Sequence, residues 1–367
     1  MSLRQIIPRL RSFHVTSRER IISTLRHEEP DRVPITETCF WPPTVERWRE
    51  EGLPEDVHPE QYFELDPIPR IGIDSSLQFE EELLEETDEW TVKRDRDGAV
   101  HKRWKHEYAT CAEIDQLVKS RGDWNAVRER LQPTQGRIPD DLPGRVEQFH
   151  AQDTFCVLQP PEPIWWVWRT LGMERAFMAM AGEPEWFAEM VDTQTQMQLE
   201  LLEMALATGA KPDGVWYFSD FCYRNGMFFS EAMYRELMLP WHTMLADFCH
   251  ANDLFLLLHC CGDARKLVPH LIDAGFDAIQ PLEARCGNDV REMKPLYGER
   301  ITLFGNMNMD VFASGDRDAI RDEITTKMHA AMPGGGYIWH SDHSVPPTVA
   351  FDDYVYAIEL TRELAEY

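Results

Sequence analysis

A histidine and a cysteine one residue apart close the apolar run Leu256-Leu257-Leu258-His259-Cys260-Cys261-Gly262-Asp263. On an extended strand end His259 and Cys261 point the same way, and Cys260 points the opposite way as a small core residue. Imidazole and thiolate are soft ligands that suit zinc, and side chains so spaced can share one ion. A catalytic zinc site uses three protein ligands and keeps one open position. The segment after Gly334-Gly335-Gly336-Tyr337-Ile338-Trp339 supplies His340, Asp342 and His343 in quick succession. Any of these completes a His–Cys–X set, and Cys286 in Ala284-Arg285-Cys286-Gly287 is an alternative thiol. A closed structural site would show four Cys or His at short local spacing, and the chain has no such spacing. Zinc lowers the pKa of a bound thiol, which makes the thiolate a usable nucleophile at neutral pH.

Other reactive or polar residues also follow apolar runs. Tyr217, then Ser219-Asp220, lie at the end of one; Glu283 follows another; Gly305-Asn306-Met307-Asn308 follows a third. A lone aspartate after a strand is most often a helix cap, and a lone histidine a satisfied core residue, so each gains weight only from the others. The run Ile164-Trp165-Trp166-Val167-Trp168 is core by default. After a strand, Trp165 and Trp166 could instead line a flat substrate pocket, with Trp41 beside them. No phosphate loop, Ser–His–Asp signature or nucleotide fingerprint is found.

The elements that must position these residues alternate along the chain. Strands are expected at 32–36, 71–77, 155–159, 214–218, 254–258, 278–281, 301–304 and 337–339. Helices lie between most of them. The stretch 185–207 puts Phe187, Met190, Val191, Met197, Leu201 and Met204 on one face; 230–252 opens on the capping residue Ser230. About eight strands over some 330 residues predict a single (β/α)8 TIM barrel of the α/β class, with a doubly wound sheet as the alternative. A barrel gathers strand tips into one ring, whereas an open sheet would spread them out. Residues 1–30 are expected as an N-terminal helical segment and 31–367 as the barrel. Alternation around Asp97-Gly98 predicts a β-hairpin within an insertion near residues 85–142, covering part of the mouth.

Composition excludes several functions. With 367 residues, 43% hydrophobic, the chain can bury a sizeable core. A formal charge of -27 argues against nucleic acid and anionic membranes, and no window approaches a membrane span of roughly 18–20 apolar residues. Arg4, Arg9, Arg11, Arg18 and Arg20 loosely resemble a transit peptide, but an exposed N-terminal helix is the preferred reading. Eight cysteines without framework spacing are expected as free thiols in the reducing cytoplasm.

Taken together, several segments resemble the uroporphyrinogen decarboxylase superfamily. They are Thr16-Ser17-Arg18-Glu19-Arg20; Glu28-Glu29-Pro30-Asp31-Arg32-Val33-Pro34-Ile35; Asp220 followed by Gly226 to Ser230; Leu239-Pro240; Gly305-Asn306-Met307-Asn308; and Ser341-Asp342-His343-Ser344-Val345-Pro346-Pro347. The resemblance covers nearly the whole chain and implies a (β/α)8 barrel. True decarboxylases of the family carry an Arg-Gln-Ala-Gly-Arg element that holds substrate carboxylates. Here that neighbourhood reads Thr36-Glu37-Thr38-Cys39-Phe40-Trp41. The decarboxylase's aspartate after the second strand is replaced here within Gln78-Phe79-Glu80-Glu81. The zinc-dependent, cobamide-linked methyltransferases of the superfamily fit better, since His259-x-Cys261 matches their His-x-Cys. In this alignment His343 stands where that branch usually has a second cysteine.

The resemblance therefore implies Zn2+ held by His259, Cys261 and His343, and a methyl group passed between a corrinoid (cobalamin) on a partner protein and a thiol or methylated small molecule such as a methyl ether. Asp220 and Glu283 are then expected as orienting or proton-handling groups, with Asn306, Tyr217, Trp165 and Trp166 around the substrate. The alternative is a decarboxylase or lyase acting on a small acid, recognised by CO2 loss without corrinoid. A non-enzymatic binding barrel is a third possibility, and a homodimer is compatible with a barrel of this size.

Overall fold

The computed structural model describes residues 15–106 and 111–367. Arg4, Arg9 and Arg11, the greater part of the basic N-terminal stretch, lie outside the described residues. The chain enters its central sheet at β1 (Arg70–Gly72). Four antiparallel strands follow: β2 (Glu82–Glu86), β3 (Trp90–Arg94), β4 (Ala99–Trp104) and β5 (Ala112–Gln116). It returns at β6 (Val157–Gln159) and β7 (Gly214–Phe218), then forms a small hairpin, β8 (Cys222–Tyr223) and β9 (Gly226–Met227). The remaining central strands are β10 (Phe255–Cys260), β11 (Ala278–Pro281), β12 (Thr302–Phe304) and β13 (Tyr337–Ile338). The central sheet runs β1-β6-β7-β10-β11-β12-β13, its neighbours paired in parallel and in chain order, as a TIM-barrel-like fold requires.

The eighth position is filled by the segment at 32–36. Ile35 bridges Trp339 in parallel, with Thr36 N–H donating to Trp339 and Trp339 N–H to Pro34. No bridge joins this segment to β1 among the described residues, and the reason is local. Pro34 has no N–H. The outward N–H and C=O of Ile35 are taken by Asp66, through its carboxylate at 2.9 Å and its own N–H at 2.7 Å. Asp66 is itself buried between Arg20 and Arg32, at 2.7 and 2.8 Å. A buried ion cluster thus stands where a strand ladder would close the ring.

Strand alternation sorts the core. Val157, Trp216, Leu257, Ala278, Phe304 and Ile338 point into the ring. Ile21 and Leu25 of the helix Ser17–Leu25 join this inner cluster. Leu256, Leu258, Ile279 and Leu303 face the outer helices, of which Pro184–Ala207 is the longest. Burying each large apolar side chain contributes about 1.5–3 kcal/mol. A strand apolar on both faces is stable only when both are covered, so Leu256-Leu257-Leu258 reads as a continuous run.

The sequence predicts a hairpin at Asp97-Gly98, and the structure has it as the central pair of a four-stranded sheet, β2-β3-β4-β5. Asp95 accepts hydrogen bonds from Asp97 N–H and Ala99 N–H, both at 2.9 Å, while Gly98 takes φ 81°. The outer strands escape a periodicity search because β2 is exposed along its whole length and carries no apolar face. After the sheet the region carries the helix Arg121–Val127 and two short 3-10 turns, and the helix Leu142–Ala151 follows it. No helix among the described residues is long and apolar enough to cross a membrane. All eight cysteines are free thiols.

Candidate functional site

Three strand tips meet around Cys261. The first is the end of β10. His259 Nε2 lies 3.3 Å from Cys261 Sγ, while Cys260 faces the outer core and is fully buried. The chain turns away at Gly262, φ 88°, where a Cβ would lie 2.7 Å from the backbone of Cys222 and Tyr223. Glycine alone permits the β8–β9 hairpin to approach this closely. The ring of Phe218, at the end of β7, stacks on His259 with centroids 4.3 Å apart and planes at 9°.

Asp220 follows β7. Its Oδ1 accepts from Cys261 N–H at 3.1 Å and lies 3.9 Å from His259 Nε2. Glu283 follows β11 and accepts from Gly262 N–H at 2.7 Å, from Cys286 Sγ at 3.1 Å and from Arg285 at 3.1 Å. At this site two sets of donor atoms each lie within 4.8 Å of one another, Asp220 with His259 and Cys261, and Glu283 with His343 and Cys261, so the two histidines fall in different sets. Cys261 is the shared corner. His343 sits on the far side, its ring edge-on to Trp41 at 6.2 Å.

The protonation pattern follows from burial. Desolvation pushes His259 below its ordinary range. Its Nδ1–H donates to Gln280 Oε1 at 2.5 Å, so the Nε2 lone pair faces Cys261. Burial pushes the Cys261 thiol up, and the charges of Asp220 and Glu283 add to that. Burial also opposes ionisation of Glu283, but the hydrogen bonds from Cys286, Gly262 and Arg285 outweigh it and hold its carboxyl below the usual range. Cys286 is pushed up to about 12, mainly by burial.

A cavity of about 610 Å3 opens on Cys261, lined among others by Asp220, Glu283, Arg285, Cys286, Phe228 and Trp165. Trp165 also lines a second cavity of about 960 Å3 that reaches Phe218 and Trp216.

Among the three candidates after β13, packing makes the choice. His340 is buried and held neutral, its pKa driven down to about 3 by desolvation. Its Nε2 accepts from Thr38 N–H at 2.8 Å, and its Nδ1–H donates to Ser341 O. Asp342 accepts from Met309 N–H and Ala284 N–H, both at 3.1 Å. Both side chains are committed to the backbone, which leaves His343 as the member beside Cys261.

Three expected substrate contacts need correction. Asn306 is fully buried and its amide is spent inside the fold: Oδ1 accepts from Val290 N–H at 3.0 Å, and Nδ2 donates to Leu282 O at 2.7 Å and Asn288 O at 2.9 Å. Tyr217 points outward from β7, where its hydroxyl donates to Gln198 at 3.1 Å. Trp166 is 2% exposed and donates to Asp97 Oδ1 at 2.8 Å, tying the insertion to the barrel. Strand and helix periodicity decides these directions: neighbours of a mouth-facing residue face away. Two residues at the site escape sequence reasoning, Gln280 and Phe218. The signal for Gln280 is a lone amide inside the buried strand Ala278–Pro281.

The profile of the family described as uroporphyrinogen decarboxylase (URO-D) matches residues 169–364, more than half of the chain. No curated protein matches. Among solved structures, a methyltransferase from Methanosarcina mazei is similar, with a TM-score of 0.62 at 15% identity, over 95% of this chain and 99% of that one. At that identity the likeness is one of fold.

Proposed function

Because the chain belongs to the uroporphyrinogen decarboxylase family, we propose that it is a zinc-dependent methyltransferase, moving a methyl group between a corrinoid and a thiol or methylated small molecule such as a methyl ether. The observation that carries this reading is the 3.3 Å approach of His259 Nε2 to Cys261 Sγ, ringed by Asp220, Glu283 and His343. The methyltransferase among the structures of similar fold supports the same class of chemistry.

The donor set suits zinc. Tetrahedral Zn–N and Zn–S bonds of about 2.0–2.3 Å separate neighbouring ligands by roughly 3.5 Å. The thiol offers a second test of fit. Buried beside two carboxylates, Cys261 keeps its proton at neutral pH unless a cation joins it. Cys261 would hold the ion, either with His259 and Asp220 or with His343 and Glu283; no set among the described residues joins both histidines. When bound, zinc supplies a Lewis-acidic centre that stabilises an acceptor thiolate, or the departing oxygen or sulfur of a methyl donor.

The other roles belong to the chain itself. Gln280 fixes the tautomer of His259. Trp165 walls the cavity with flat apolar surface, and Phe218 covers one face of the His259 ring. Asp220 and Glu283 stand close enough to take or return a proton at a thiol or hydroxyl beside Cys261. The corrinoid would arrive on a separate partner protein.

The test is elemental analysis of the untagged protein followed by incubation with methylcobalamin and candidate thiols or methyl ethers. About one zinc per chain and a change in the cobalamin spectrum that depends on the methyl donor or acceptor are expected. A protein that binds no metal and leaves methylcobalamin unchanged overturns the reading.

A further inference from the structure

Arg70 opens β1 and pairs in register with Val157, an inward-facing residue of β6. Its guanidinium therefore enters the ring. It lies 5.8 Å from the ring of Trp216 and donates to Thr38 O at 3.2 Å. No carboxylate stands within ion-pairing distance of it among the described residues. The side chain is exposed to the 960 Å3 cavity, and the packing along its stem lowers its pKa by desolvation. A guanidinium offers five donors in a planar fork, and here only one bond to protein is made. Acids near it do not take its charge. Glu60 stays beyond ion-pairing reach. Glu37 is buried, pushed up to about 8 by desolvation, and bonded to Ser341 and Tyr354.

The walls of this cavity carry aromatic and neutral-polar groups beside Glu37, Glu60 and Arg169. Trp165, Trp216 and Phe218 give flat apolar surface, and Thr154 and Gln159 give hydroxyl and amide groups. Trp165 lines both this cavity and the one that opens on Cys261, and Phe218 stacks on His259. The cation and the thiol therefore lie in two neighbouring cavities that share the Trp165 wall, with the Phe218–His259 stack beside it.

We propose that Arg70 anchors the carboxylate of the substrate, which makes the small molecule an aromatic methyl donor bearing a carboxylate. This rests on the methyltransferase reading. The carboxylate completes the guanidinium fork with two parallel N–H···O bonds, the ring lies against Trp165 and Phe218, and the methyl-bearing end is directed to Cys261.

The experiment is calorimetric titration of the full-length protein with 4-methoxybenzoate and with its neutral analogue, 4-methoxybenzamide. Wild type is expected to prefer the carboxylate at least 10-fold, and that preference shrinks as salt is raised. Arg70→Met removes the preference while leaving amide binding unchanged, and Arg70→Lys restores part of it. Cys261→Ser keeps carboxylate binding, so loss of metal or of methyl transfer does not register here. Equal binding of the two probes by wild type, binding of neither at millimolar concentration, or an unchanged preference in Arg70→Met overturns the proposal. The salt dependence of wild type decides the matter if both Arg70 variants fail to fold.

Discussion

Gln280 Oε1 accepts a 2.5 Å hydrogen bond from His259 Nδ1, and the two residues are register partners on adjacent parallel strands. The amide is itself held, since Gln280 Nε2 donates to Thr38 Oγ1 at 2.9 Å. Orientation of the imidazole is thus inherited from Thr38, two residues beyond the segment that fills the eighth barrel position. Gln280→Leu should leave the strand intact and free the imidazole to rotate or change tautomer. Zinc affinity is expected to fall about 10–100-fold. Competition with a chromophoric chelator measures it, and an unchanged affinity would mean that the bond is incidental.

Cys261 belongs to both sets of metal-ligating atoms, so its replacement should be the most damaging. Metal content is expected to vanish in Cys261→Ser and to drop in His259→Ala and His343→Ala. Asp220→Asn and Glu283→Gln separate the two halves: the half that holds the ion loses affinity when its carboxylate is neutralised. Elemental analysis of all five variants checks this, and full metal in Cys261→Ser would remove the thiolate site.

Glu37 gives stability a pH dependence of known sign. Its folded pKa is raised by burial to about 8, above the ordinary carboxyl value. The unfolded chain therefore ionises first, and the contribution of Glu37 is complete below about pH 4.5 and lost as pH rises to about 8. Across that window wild type should lose up to about 1.4 kcal/mol per pH unit relative to Glu37→Gln. Urea unfolding of both proteins at several pH values checks it; parallel curves would refute it.

Asn306 predicts instability without loss of chemistry. Asn306→Ala strands Val290 N–H, Leu282 O and Asn288 O in the core. It also puts alanine at φ 85°, which favours glycine or asparagine. A destabilisation of roughly 3–5 kcal/mol is expected, since each orphaned buried group costs about 1–3 kcal/mol and such effects do not add fully. Zinc bound per folded chain should stay the same. A folded, stable variant with altered substrate affinity would return Asn306 to the site.

Trp166→Phe is a milder case of the same kind. It removes one indole donor and leaves Asp97, already raised to about 6 by burial, without that partner. A loss of about 1–3 kcal/mol is expected, with activity retained. Thermal unfolding and a methyl-transfer assay, run together, distinguish this tie from a substrate contact.

The barrel was legible because its signals are local. Leu256-Leu257-Leu258 needs no partner to read as a buried strand, and the i, i+2 spacing of His259 and Cys261 already puts both on one face. The expectation for the hairpin at Asp97-Gly98 rested on turn chemistry and alternation in the same way. The outer strands of that sheet had no such signal.

What a side chain touches is a different matter, set by residues far away in the chain. His340 and His343 are alike in sequence, three residues apart; Thr38, 302 residues distant, occupies one of them and not the other. Asn306 and Asp220 both follow barrel strands, yet one is consumed by Val290, Leu282 and Asn288 while the other borders an open cavity. Arg70 carries no motif, and the role proposed for it rests on there being no carboxylate within ion-pairing distance among the described residues. Secondary structure and family were written in the order of residues, because backbone periodicity is a property of neighbours. The division of polar groups between scaffold and site was decided only by tertiary structure, because each buried donor and acceptor must be satisfied by whatever the fold brings to it.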